Sequence, residues 1–327
     1  MTSRMRTPTF LIVGALVTLL AGCGASSGNL GTVPPPAQTP AASGGPVVPD
    51  LTPGPEVSPG TSGSPSGPVS PIPSSQPSSS PATTIVRAYF VLGGAPGSTG
   101  LVPVLRAVPH TAAVATAAMN ALLAGPTADE SGPRTITSAV PTGSRLLGLS
   151  IRNGVATVDL STEFDSGGGS ASTRYRLAQA VYTLTQFPTV TSVLFQVEGR
   201  TVTVFGSEGI VLDGPVGRAA DLDLLPDIFV DRPAYGATIG NPARITGNAG
   251  VFEATFRIAL LDAKGAILVD QQVMATCGTG CRGTFDVTLR YEVSQGQWGT
   301  LRAYNLSARD GSPESVREYP VWLTPGS

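Results

Sequence analysis

Asp159, Glu163 and Asp165 fall within the stretch VDLSTEFD, and three glycines and a segment carrying Arg174 and Arg176 follow them. Carboxylates at this spacing beside a flexible loop are raw material for acid–base or cation chemistry. A glycosidase needs two carboxyls about 5–9.5 Å apart across a sugar-sized cleft, usually with aromatic platforms beside them. Aromatic residues make up only 6% of the chain, and the nearest, Phe164 and Tyr175, serve equally well as core. There is also a structural use. Arg174 and Arg176 fall in the first turns of the expected helix, where the macrodipole disfavours cations, and Glu163 or Asp165 would offset them by ion pairing. The alternative is a helix capped by Ser170 or Ser172, with the acids left to solvent.

Other chemistry has thinner support. A Ser-His-Asp arrangement needs a histidine, and the single candidate, His110, follows Pro109 at the start of an alanine-rich segment. No G-x-S-x-G elbow lies in the folding region, and no glycine-rich phosphate loop precedes Lys264, the only lysine. Asp221, Asp223, Asp227 and Asp231 suggest a calcium loop, but Leu224, Leu225 and Pro226 stand where oxygen ligands and a turn glycine belong. A solvated linker is the expectation there. Cys277 and Cys281 have no neighbouring Cys or His to complete a zinc tetrahedron, so a loop-stapling disulfide is expected, with a redox-active pair as the alternative. No catalytic, cofactor-binding or metal residue is therefore assigned.

The elements that must position these residues are laid out along the chain. Arg4 and Arg6 precede an apolar run from Phe10 to Leu20, which suits a signal-peptide core and is too short to span a membrane. It ends Leu20-Ala21-Gly22-Cys23, similar to a bacterial lipobox, so residues 1–22 are expected to be a lipoprotein signal and Cys23 the lipidated residue. An ordinary secretory signal with an incidental cysteine is the alternative. More than half of residues 24–83 are Pro, Ser or Gly, with no aromatic residue, so 23–83 reads as the lipidated cysteine and a disordered linker. Extended, such a segment reaches on the order of 100 Å.

Folding is expected from residue 84. TIVRAYFVLG and LVPVLRAV read as strands, and His110 to Ala124 as a helix closed by Gly125-Pro126. RLLGLSIRNGVATVDL is a hairpin around Asn153-Gly154. A helix over about 171–187 carries Leu177, Val181 and Leu184 on one stripe, and 192–206 forms a second hairpin turning at Glu198-Gly199-Arg200. The expected fold over 84–212 is an α+β domain, with two helices on one face of a mixed sheet. Residues 213–227 connect it to 228–325, where strand-like runs and turns suggest an all-β immunoglobulin-like sandwich. Trp298 and Trp322 are expected in its core or packed at an edge.

VRAYFVLGG, LVPVLRAVP, AMNALLAGPTADE, TSAVPTGSRLLGLSIRNGVATVDLSTEF and LAQAVYTLTQFPTVTSVLFQVEGR together resemble the GerM-type (GerMN) domain of sporulation and spore-germination proteins. GNAGVFEATFRIALLDAKG, GTFDVTL and SARDGSPESVREYPVWL resemble the immunoglobulin-like domain of bacterial spore-germination proteins; the Cys277–Cys281 pair departs from that pattern. The resemblance implies a non-catalytic, extracytoplasmic role without a cofactor, in a protein that packs against others. With net charge −2 and no basic run, nucleic acid is not an expected partner. The expected role is a lipoprotein anchored to the cell membrane through Cys23 that binds an envelope protein or builds an assembly; the alternative is binding of cell-wall glycan or a small ligand.

Overall fold

The computed structural model describes residues 82–132 and 135–326; the expected signal sequence, Cys23 and the expected linker up to residue 81 lie outside them. Two ten-residue strands, β1 (Thr83–Leu92) and β2 (Gly100–Pro109), pair antiparallel along their full length. His110 N–H still donates to Ala82 C=O, so the chain cannot turn helical where the sequence suggested. Helix α1 (Val114–Leu123) begins four residues later and buries Ala115, Ala118, Met119 and Leu122 on one face. A single turn, α2 (Ala128–Ser131), closes with a capping box between Thr127 and Glu130, and β3 (Ile136–Thr137) adds to the far end of β1.

The Asn153-Gly154 turn forms as expected, both residues at positive φ (51° and 82°), between β4 (Leu146–Arg152) and β5 (Val155–Leu160). Helix α3 (Ser170–Leu184) buries Leu177, Val181 and Leu184 and leads to β6 (Ser192–Val197), which lies parallel to β5. Beyond the Glu198-Gly199 turn, β7 (Arg200–Thr201) lasts only two residues. The chain then makes a separate ribbon of β8 (Val204–Phe205) and β9 (Ile210–Val211). The expected single mixed sheet is thus two sheets, ordered β2-β1-β3 and β4-β5-β6-β7, with α1 and α3 packed on β1 and on one another.

The rest of the chain is a two-sheet sandwich. One sheet is β10 (Ile228–Arg232), β12 (Ala243–Ala249) and β15 (Gly283–Leu289), in that order. The other follows the order β11 (Thr238–Ile239), β17 (Pro313–Leu323), β16 (Gln297–Leu306), β13 (Thr255–Leu261), β14 (Ile267–Met274). Period-two burial is plain in β15, where Phe285, Val287 and Leu289 face inward and Thr284, Asp286 and Thr288 face out. Phe256 and Phe285 meet edge-to-face at 5.0 Å across the sheets. Trp298 and Trp322 stand opposite one another on β16 and β17, rings 5.5 Å apart, with Trp298 half exposed, so the pair packs on the sheet surface and not in the core.

Candidate functional site

The three carboxylates of the opening stretch do not meet. Asp159, on β5, accepts the Gly199 N–H at 2.8 Å and fastens the β6–β7 turn. Asp165 accepts the Gly206 N–H at 2.6 Å and fastens the β8–β9 ribbon. Glu163 pairs with the exposed Arg145 at 3.5 Å; the Ser161 hydroxyl and that guanidinium hold its carboxyl below the usual range. Asp159 and Asp165 secure different turns, and Glu163 makes a separate, exposed ion pair.

The arginines of α3 also find other partners than expected. Helix α3 starts after Gly169 without a side-chain cap, so neither Ser170 nor Ser172 caps it. Arg174 grips Asp223 through two bonds of 2.6 and 2.7 Å and reaches Asp221 at 3.2 Å. Both acids sit on a 3-10 turn (Arg218–Leu224) of the connecting segment, where Asp221 is buried. Arg176 is 1% exposed; the charge of Asp165 favours its guanidinium without a direct ion pair, and it donates to the carbonyls of Ala139 (3.1 Å), Phe164 (2.7 Å) and Gly167 (2.7 Å). Burial pulls its pKa down while three carbonyls keep the guanidinium hydrogen-bonded. It pins the glycine loop from inside.

The expectation of a solvated aspartate linker fails most clearly at Asp231. This β10 residue binds Arg87 of β1 at 2.9 Å and accepts a hydrogen bond from the Tyr89 hydroxyl, while Arg218 lies 3.5 Å away. Burial pushes the Asp231 pKa up, but Arg218 and Arg87 more than offset this and hold it below the ordinary value. Arg218 also donates to Thr185 Oγ1 at 2.8 Å, and its guanidinium lies 4.5 Å from the Tyr182 ring centre. Burial raises Tyr89, as it does Tyr182, whose hydroxyl is pushed up to about 12. The Tyr182 ring meets Phe229 of β10 edge-on at 6.0 Å.

A second crossing lies at the other end of the same seam. Arg317 of β17 is 2% exposed and donates to Leu101 C=O at 2.7 Å, Gly100 C=O at 3.3 Å and Ser98 C=O, besides Tyr319 Oη at 2.8 Å. Asp227 N–H donates to Gly97 C=O at 2.7 Å, and its carboxylate accepts from Ser315 at 2.6 Å. Tyr235 N–H donates to Pro103 C=O at 2.8 Å, beside the outer side of β2. One hydrophobic cluster runs through both folds, from Tyr89 and Tyr182 to Phe229 and Ile245. The connecting segment is therefore a joint, buried at Asp221 and from Leu224 to Pro226 and open to solvent at Leu222 and Asp223.

Other candidates take structural places. His110 is exposed and faces Thr84 Oγ1 at 3.1 Å. Cys277 and Cys281 are joined, their Cα atoms 5.9 Å apart, in the loop after β14. Among the described residues no group of three or more His, Cys, Asp or Glu side chains is placed to hold a metal ion. A set that sequence reasoning missed lines β1: Gln186 brackets Arg87 (2.8 and 2.6 Å), Thr183 accepts from Tyr89 N–H (3.1 Å), and Gln179 donates to Tyr89 C=O (2.9 Å). These side chains, from α3 and the turn after it, act where a neighbouring strand would. Only the polar spacing 179-183-186 on an otherwise apolar face signals them.

Residues 87–203 match the Germane family, described as sporulation and spore germination, and residues 227–312 match Gmad2, the immunoglobulin-like domain of bacterial spore germination. Among curated proteins the chain has no match. Among solved structures, the first GerMN domain of the Bacillus subtilis sporulation protein GerM is 19% identical over 42% of this chain and 99% of that one, with a TM-score of 0.35. The tandem GerMN domains of the same protein are 16% identical over 65% and 63% of the two chains, TM-score 0.36. A putative lipoprotein from Clostridium perfringens is 18% identical over 43% and 92%, TM-score 0.31. At these scores the structural likenesses carry no argument of their own, whereas the two family matches follow one another along the chain with residues 204–226 between them. The folded chain is thus a GerM-type domain of the sporulation and spore germination family followed by the immunoglobulin-like domain of bacterial spore germination.

Proposed function

We propose that this chain is a non-catalytic lipoprotein of the cell envelope, anchored through Cys23, whose two fused folds bind a protein partner. The observation that carries this reading is the joint. Arg87, Asp231, Arg218 and Arg317 link the two folds through buried, charge-assisted bonds, so two β-rich surfaces are presented in one fixed arrangement. The Leu20-Ala21-Gly22-Cys23 run and the Pro/Ser/Gly-rich segment after it support anchoring with a long reach. Asp159 and Asp165 serve turns and Glu163 an exposed ion pair, which leaves the opening stretch a structural role.

Two experiments test this. Metabolic labelling with an alkyne fatty acid marks the chain, and Cys23→Ala abolishes the label and releases the protein from membranes; a labelled Cys23→Ala chain refutes the anchor. Crosslinking in intact cells followed by mass spectrometry recovers protein peptides joined to residues 84–325. Recovery of peptidoglycan fragments alone refutes the protein-partner reading and supports glycan binding.

A further inference from the structure

Strand β14 closes one side of the five-stranded sheet, and among the described residues no backbone hydrogen bond reaches it from its outer side. Such an edge invites another strand unless proline, lysine, a bulge or an inward charge defends it. β14 reads ILVDQQVM, without proline or lysine; its one irregularity, at Leu268, lies near its start, and its one charge is withdrawn: Asp270 turns across the sheet to Arg257 at 3.0 Å and accepts from Tyr304 at 2.6 Å. By contrast β2, the ten-residue outer strand of the first sheet, is covered beside Val104 by Tyr235.

We propose that β14 pairs antiparallel with β14 of a second copy of this chain, centred on Gln271. Regular pairing with β13 runs from Val269 to Met274, and Ala275 N–H donates to Ala254 C=O. Alternation in an antiparallel ladder then turns the N–H and C=O groups of Asp270 and Gln272 away from β13, toward the open side. The Asp270 carbonyl also takes a long 3.4 Å bond from Arg257, which leaves it a second lone pair. Centring on Gln271 sets Gln272 opposite the partner's Asp270, so the outward groups meet as hydrogen-bonded pairs. The same register sets Val273 opposite the partner's Val269. Apolar meets apolar, and no like charges face one another, since Arg257 and Tyr304 hold each Asp270 carboxylate within its own sheet. Shifting by one residue would place side chains of opposite faces against each other. The regular stretch from Val269 to Val273 is thus complementary to itself.

This contact rests on the protein-partner reading above and names the partner as a second copy. A single strand pair buries less than a standard interface, so copies held on one membrane are the right setting for its test. In the register proposed, the two Gln271 residues face each other at a non-hydrogen-bonded position, where Cα spacing suits a disulfide. The full-length Gln271→Cys chain, oxidised mildly in membranes, gives a disulfide-linked dimer, joined through position 271 of each copy, at least tenfold above Gln272→Cys and above the unmodified chain. Adding Gln272→Pro, which removes an outward N–H while sparing the pairing with β13, reduces that yield to background; an unchanged thermal midpoint shows that the fold is kept. Equal yields for Gln271→Cys and Gln272→Cys, or no dimer from Gln271→Cys, overturn the proposal. A disulfide from the Gln271→Cys chain to a different protein also overturns it, while leaving the protein-partner reading standing.

Discussion

At the residue scale, the decisive groups are buried arginines and the oxygens they meet. Asp231 is shared by two guanidiniums, so Asp231→Asn leaves Arg87 and Arg218 without their common counter-charge. A loss of about 3 kcal/mol is expected, measured by urea unfolding. The pH dependence follows from the same pair. The folded-state pKa of Asp231 lies below the unfolded value of about 3.9, so its contribution is complete above that value and is lost as pH falls through the depressed one. Acid titration of stability should lose this component in the Asp231→Asn variant. By contrast, Glu163→Gln is expected to leave the thermal midpoint unmoved, since its partner is exposed. Asp165→Ala removes the acceptor for the Gly206 N–H and should cost about 1 kcal/mol.

At the element scale, local signals were legible where the chain states its own geometry. Asn153-Gly154 announces its turn because both residues tolerate positive φ, and the stripe of Leu177, Val181 and Leu184 announces α3. Gly154→Val forces a β-branched residue to φ +82° beside Thr191 and should destabilise by roughly 1–2 kcal/mol in a thermal melt. Two-residue strands such as β7, β8 and β9 are too short for any period, so the ribbon after the second hairpin could not be read. Partners far apart in the chain were equally hidden. Nothing near Asp231 marks it as the mate of Arg87 or Tyr89, which lie 144 and 142 residues upstream. The aspartates between Asp221 and Asp231 therefore looked solvated, although Asp221, Asp223 and Asp231 all hold arginines. The family resemblance was readable from clustered motifs, and the seam between the two folds was not.

At the scale of the whole molecule, buried bonds and a shared apolar cluster make the two folds one cooperative body. Calorimetry should show a single unfolding transition for the intact chain. Arg317→Ala strips the carbonyls of Ser98, Gly100 and Leu101 of their donor, and the double variant with Asp231→Asn should separate that transition into two. A double variant that still melts in one step would show that apolar packing alone unites the folds.

Arg317 carries one more consequence, concerning the order in which the chain is made. The loop it pins lies 216 to 219 residues earlier in the sequence. During synthesis the β1–β2 loop therefore waits, without its guanidinium, until nearly all of the sandwich has emerged. Contacts of such long separation are slow to close. A polypeptide whose first fold is completed only by its last strand stays threadable for longer.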